Sequence, residues 1–73
     1  MKYEILMTLD ARNVYKCRRL VDEALLPKPT SQNVVQDEFE TLTYHIDANN
    51  LIKFLQVVSC YLDITTLDIN KLN

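Results

Sequence analysis

The chain has 73 residues, 48% of them hydrophobic and 25% charged, with a formal net charge of -2. That composition describes one globular domain and excludes intrinsic disorder. A domain this small buries only about 60% of the surface its unfolded chain exposes and commonly relies on oligomerisation for stability. The acidic balance excludes a global attraction to nucleic acid or to an anionic membrane. The absence of glycine excludes the glycine-rich loops that bring backbone amides up to nucleotide phosphates.

From Tyr3 to Asp10 the residues alternate, with Tyr3, Ile5, Met7 and Leu9 on one side and Glu4, Thr8 and Asp10 on the other, Leu6 being the exception. This predicts a half-buried strand. Asp10 is placed to N-cap a helix. Val14, Cys17, Leu20, Val21, Ala24 and Leu25 then recur at helical spacing until Pro27 and Pro29 end the run, so the helix is expected over Ala11 to Leu26. Lys28 to Asn33 is a polar connector, too short for a domain linker.

Val34 to Asp47 is rich in strand formers, but its apolar parity changes: Val35 and Phe39 are odd, whereas Leu42, Tyr44 and Ile46 are even. One strand cannot bury both sets on one face. A tight turn or bulge near Glu38 to Thr41 resolves the conflict, giving a short strand and then a second one over Leu42 to Asp47. Asp47 or Asn49 is placed to cap the next helix. The predicted fold is therefore α+β, a single domain over residues 1–73. It has a three-stranded antiparallel sheet with two helices packed on one face, in the order strand, helix, strand, strand, helix.

The last helix, expected over Asn50 to Leu67, carries more apolar surface than one core needs. Leu51, Phe54, Leu55, Val58, Tyr61 and Leu62 follow the i, i+3, i+4, i+7 rule and suffice to cover a small sheet. A second row through Ile52, Val57, Cys60, Ile64 and Leu67 leaves only a narrow polar strip. A central helix flanked by the first helix and the C-terminal tail would look like this. So would a docking face, which the shortness of the chain favours. The two edges of a three-stranded sheet offer a further, generic route to dimerisation.

Candidate chemistry is sparse. His45, the sole histidine, falls with Thr41, Thr43 and Asp47 on the face opposite Leu42, Tyr44 and Ile46, with no aligned partner for general-base work. Asp37, Glu38 and Glu40 cluster at the expected turn, where a solvated hairpin tip accounts for them better than a calcium loop, which needs more oxygen ligands and a glycine. Arg12, Lys16 and Arg19 share the polar side of the first helix with Arg18 nearby, and could contact RNA phosphates. Pairing of Arg19 with Glu23 and Arg18 with Asp22 at i, i+4 makes an ordinary solvated face the simpler reading. Cys17 and Cys60 fit neither a redox pair nor a zinc set and are expected to be buried thiols. No catalytic residue, cofactor or metal site is expected. With no apolar run long enough to span a bilayer and no secretory h-region at Met1 to Asp10, a cytoplasmic or nuclear address is the default.

The stretch Ala48 to Asp63 (ANNLIKFLQVVSCYLD) carries a family pattern. Ile46, Asp47 and Ala48 lead directly into Leu51, Phe54, Val58, Ser59, Cys60, Tyr61 and Leu62, and the first helix ends in Ala24, Leu25, Leu26, Pro27, Lys28 and Pro29. In these features the chain resembles the CTAG/Pcc family, the small subunit of the KEOPS (EKC) complex. It departs from the family's pattern at Leu55, where arginine is common, at Lys28, where an acidic residue is usual, and in a shortened hairpin. The resemblance implies a non-catalytic subunit that pairs with itself or a small paralogous subunit and binds the catalytic threonylcarbamoyltransferase subunit. That complex modifies adenosine in tRNA. Carried over by position, Ile52, Val57, Cys60, Tyr61 and Ile64 would contact the partner, with tRNA contact possible through Arg12, Lys16, Arg18 and Arg19.

Overall fold

The computed structural model describes residues 1–72. Its elements in chain order are β1 (Lys2–Asp10), α1 (Ala11–Glu23), β2 (Ser31–Gln36), β3 (Phe39–Asp47), a single 3-10 turn at Ala48–Asn50, α2 (Leu51–Tyr61) and β4 (Ile64–Leu72). The strands form one antiparallel sheet in the order β2-β3-β1-β4. This is the split β-α-β arrangement of ferredoxin-like topology. The α+β class and the two helices are as expected, but the sheet has four strands, not three.

The core lies between the helices and one face of the sheet. Ile5, Met7 and Leu9 of β1 and Leu42, Tyr44 and Ile46 of β3 are fully buried there with Val14, Cys17 and Val21 of α1 and Phe54 and Val58 of α2. Cross-strand partners share a face, and the pairs Ile5↔Tyr44 and Met7↔Leu42 put both apolar sets on the helix side. The opposite face is polar. There Glu4 sits across from His45, whose Nε2 lies 3.2 Å from Glu4 Oε2, and the Thr8 and Thr41 hydroxyls are 2.9 Å apart.

Asp10 caps α1 as expected: its Oδ1 accepts from the Arg12 amide at 2.8 Å, and the carboxylate also receives the Arg12 guanidinium. The helix stops three residues earlier than the apolar spacing suggests. Ala24 is its C-cap, Leu25 adopts φ 61°, and two crossing bonds close the end, Leu26 N–H to the Val21 carbonyl and Leu25 N–H to that of Asp22. This is a Schellman motif, sealed by apolar contact between the buried pair Val21 and Leu26. Its left-handed position usually holds glycine, which this chain lacks.

The parity change between β2 and β3 is resolved by a turn at Asp37 and Glu38 and a register shift between Val34 and Gln36, which leaves Val35 bulged. β3 therefore begins at Phe39, not Leu42. No side chain caps the second helical segment: Asp47 precedes the 3-10 turn without a capping bond, and Asn50 enters α2 without one.

The main correction concerns the C-terminal third. The helix expected to run to Leu67 ends at Tyr61, and Leu62 is already extended at φ -132°, ψ 142°. Ile64, Thr65 and Thr66 are β-branched, which disfavours a helix and favours a strand. Beyond them Leu67, Ile69 and Lys71 alternate with Asp68, Asn70 and Leu72, and this segment pairs with the free side of β1 over its whole length. Ile64 and Leu67 thus belong to a strand, and the second apolar row on the last helix does not exist as one surface.

Candidate functional site

Two uncovered regions lie at opposite edges of the sheet. The first is the α2 and β4 side. Ile69 opposes Ile5 and Leu67 opposes Met7, so both point to the helix-covered side, yet Leu67 remains 38% exposed and Ile69 42%. An eleven-residue helix is about 16 Å long, whereas a nine-residue strand runs about 30 Å. α2 is too short to roof both β1 and β4. The outer edge of β4 has no neighbouring strand among the described residues.

Of the residues expected to meet a partner, Ile52 is 71% exposed on α2, and Cys60 and Tyr61 are exposed at its other end. Val57 is half-buried. Ile64 is not on the helix: it pairs with Leu9 and packs against the core, so it is not a free docking residue. Cys60 is also not the buried thiol expected. Cys17 is, and burial pushes its thiol up to about 11.

The second region is a groove of about 540 Å³ between α1, the Pro27–Pro29 segment and the strands β2 and β3. Nothing in the sequence patterns singles it out. It forms because α1 sits over β1 and β3 and leaves β2 bare, every residue of that strand being exposed. Tyr15, Pro27 and Pro29 give apolar walls, and Arg18, Arg19, Asp22, Lys28, Gln32 and Glu40 the polar lining.

The basic row of α1 separates in the structure. Arg12 is spent on Asp10 at 2.9 Å, and Arg19 approaches Glu23 at 3.9 Å. The expected Arg18 to Asp22 pair does not form, because Asp22 takes Lys28 at 3.2 Å. Arg18 instead donates to Gln32 Oε1 at 3.0 Å, and Gln32 Nε2 donates to Glu40 Oε1 at 2.8 Å. Lys16 is exposed on the same helix. The four basic residues do not converge on one surface charge.

Tyr44 forms part of the groove floor. Its ring packs against Phe54 with centroids 5.0 Å apart and planes tilted by 58°, and its hydroxyl end lies beneath α1. Among the described residues, that hydroxyl is the sole buried side-chain polar atom without a hydrogen-bond partner. The Cys17 thiol is close by, but it is a weak partner and does not meet the hydroxyl in hydrogen-bonding geometry. Burial, with the neighbouring Cys17, raises the Tyr44 pKa, while the charge of Arg18 acts to lower it.

Comparison with protein-family models, curated proteins and solved structures returned no match. A fold of this topology hosts many unrelated functions, so function has to be argued from these two regions. Among the described residues, no helix is long and apolar enough to cross a membrane. Among the described residues, no group of three or more His, Cys, Asp or Glu side chains is placed to hold a metal ion.

Proposed function

We propose that this chain is a non-catalytic subunit that docks onto a larger protein through its α2 and β4 side. The observation that carries this reading is β4. Leu67 and Ile69 face the helix layer in register with the fully buried Met7 and Ile5, yet nothing among the described residues roofs them. Ile52 extends the apolar character onto α2. The open edge of β4 also offers unpaired backbone groups to a second copy or a small paralogous subunit.

The resemblance of Ala48–Asp63 to the CTAG/Pcc family narrows the proposed partner to the catalytic threonylcarbamoyltransferase subunit of the KEOPS complex, working in the cytoplasm or nucleus. It is supported by the direct passage from β3 through Asp47 and Ala48 into a helix bearing Leu51, Phe54, Val58 and Leu62 on its core side. The fourth strand is an addition to the element order expected from the apolar periodicity, so the docking surface includes β4 and not the last helix alone.

The test is co-expression with that catalytic subunit, followed by native mass spectrometry. A stable complex is expected for the wild type and its loss for Leu67→Asp with Ile69→Asp, while the isolated variant keeps its far-UV circular dichroism. A complex that survives both substitutions rules out the β4 surface. No complex with the wild type rules out the KEOPS assignment.

A further inference from the structure

The groove beside α1 carries an inference independent of the docking reading, since it lies on the β2 side of the sheet, away from β4. It combines a concave, half-open volume with one cation that has no carboxylate partner. Clefts of roughly 300–1,000 Å³ with mostly apolar walls and a few convergent polar groups are where small ligands bind, and about 540 Å³ falls within that range.

The charges select the ligand. Three cations line the groove, but Lys28 is neutralised by Asp22, and Arg19 is drawn toward Glu23. Arg18 alone has only an amide oxygen as its partner, so most of its five N–H donors remain unspent. Gln32 holds the guanidinium in place: its amide accepts from Arg18 and donates to Glu40, and this bridge fixes which way it presents itself. The planar fork of an arginine matches a carboxylate in two parallel hydrogen bonds. With Glu40 and Asp22 also in the lining, a dianion would meet nearly as much negative as positive charge, which disfavours phosphate.

We propose that the groove binds a small organic monocarboxylate with a flat apolar body, its acid group on Arg18 and its body between Tyr15, Pro27 and Pro29.

The test is a titration of the isotope-labelled full chain with benzoate, followed by two-dimensional amide NMR, with benzamide and inorganic phosphate as parallel arms. Benzoate is expected to shift the resonances of Arg18, Gln32 and Tyr44 saturably. Benzamide, which lacks the charge, and phosphate should each bind at least tenfold more weakly. Arg18→Gln should weaken benzoate at least tenfold with the remaining spectrum unchanged. Equal binding of benzamide or phosphate overturns the carboxylate assignment, and so does the absence of saturable shifts. If Arg18→Gln binds benzoate as the wild type does, the Arg18 site is overturned.

Discussion

Strands β1 and β4 lie side by side, in one register from Lys2 to Thr8, and carry the same two-residue apolar alternation there, yet Ile5 and Met7 are fully buried while Leu67 and Ile69 stay substantially exposed. The difference is one of neighbours. β1 has a strand on each side and helices above it, whereas β4 has one strand and the margin of a short helix. Identical patterning therefore makes core in the centre of a sheet and an adhesive edge at its border. On the docking reading proposed above, this border is where the partner is expected.

The largest effect expected on that contrast comes from the centre. Phe54→Ala removes a fully buried ring that packs on Tyr44 and should lower stability by about 3–5 kcal/mol, read from urea denaturation. Ile69→Ala, at the border, should cost less than about 1.5 kcal/mol because much of its side chain is already in water. Similar losses at the two sites would mean that β4 is covered in the isolated protein.

A smaller effect, of opposite sign, is expected at the end of α1. Leu25 holds a left-handed conformation with its side chain 90% exposed, so it contributes backbone strain and little packing. Leu25→Gly should stabilise the protein by about 1 kcal/mol, visible as a raised melting temperature. A loss of stability would show that the leucine is held there by a contact.

The smallest effect is a pH dependence at the start of the same helix. Hydrogen bonds from the Arg12 side chain and amide lower the Asp10 pKa from its ordinary 3.8 to about 2 in the fold. A depressed folded pKa stabilises the native state above the unfolded value, and that contribution is lost as the pH falls from about 3.8 towards 2. Asp10→Asn keeps a capping oxygen but not the charge. Its stability difference from the wild type should therefore be constant near neutral pH and close through that acid window, as followed by thermal melts.

Sequence by itself determined the first strand, the starts of both helices and the central core. The alternation of Ile5, Met7 and Leu9 set the face of β1, the helical spacing of Phe54 and Val58 set the face of α2, and the carboxylate of Asp10 at the strand-to-helix junction marked the cap. These are legible because each depends on residues only a few positions apart. Only the tertiary structure decided where α2 stops. Ile64 and Leu67 fit a helical row as well as a strand, and the choice was made by the free side of β1, whose backbone groups need a partner. The groove was illegible for the same reason. Arg18, Gln32, Glu40 and Tyr44 stand on three elements, and no spacing in the chain announces that α1 leaves β2 uncovered or that the Tyr44 hydroxyl lies below it without a partner.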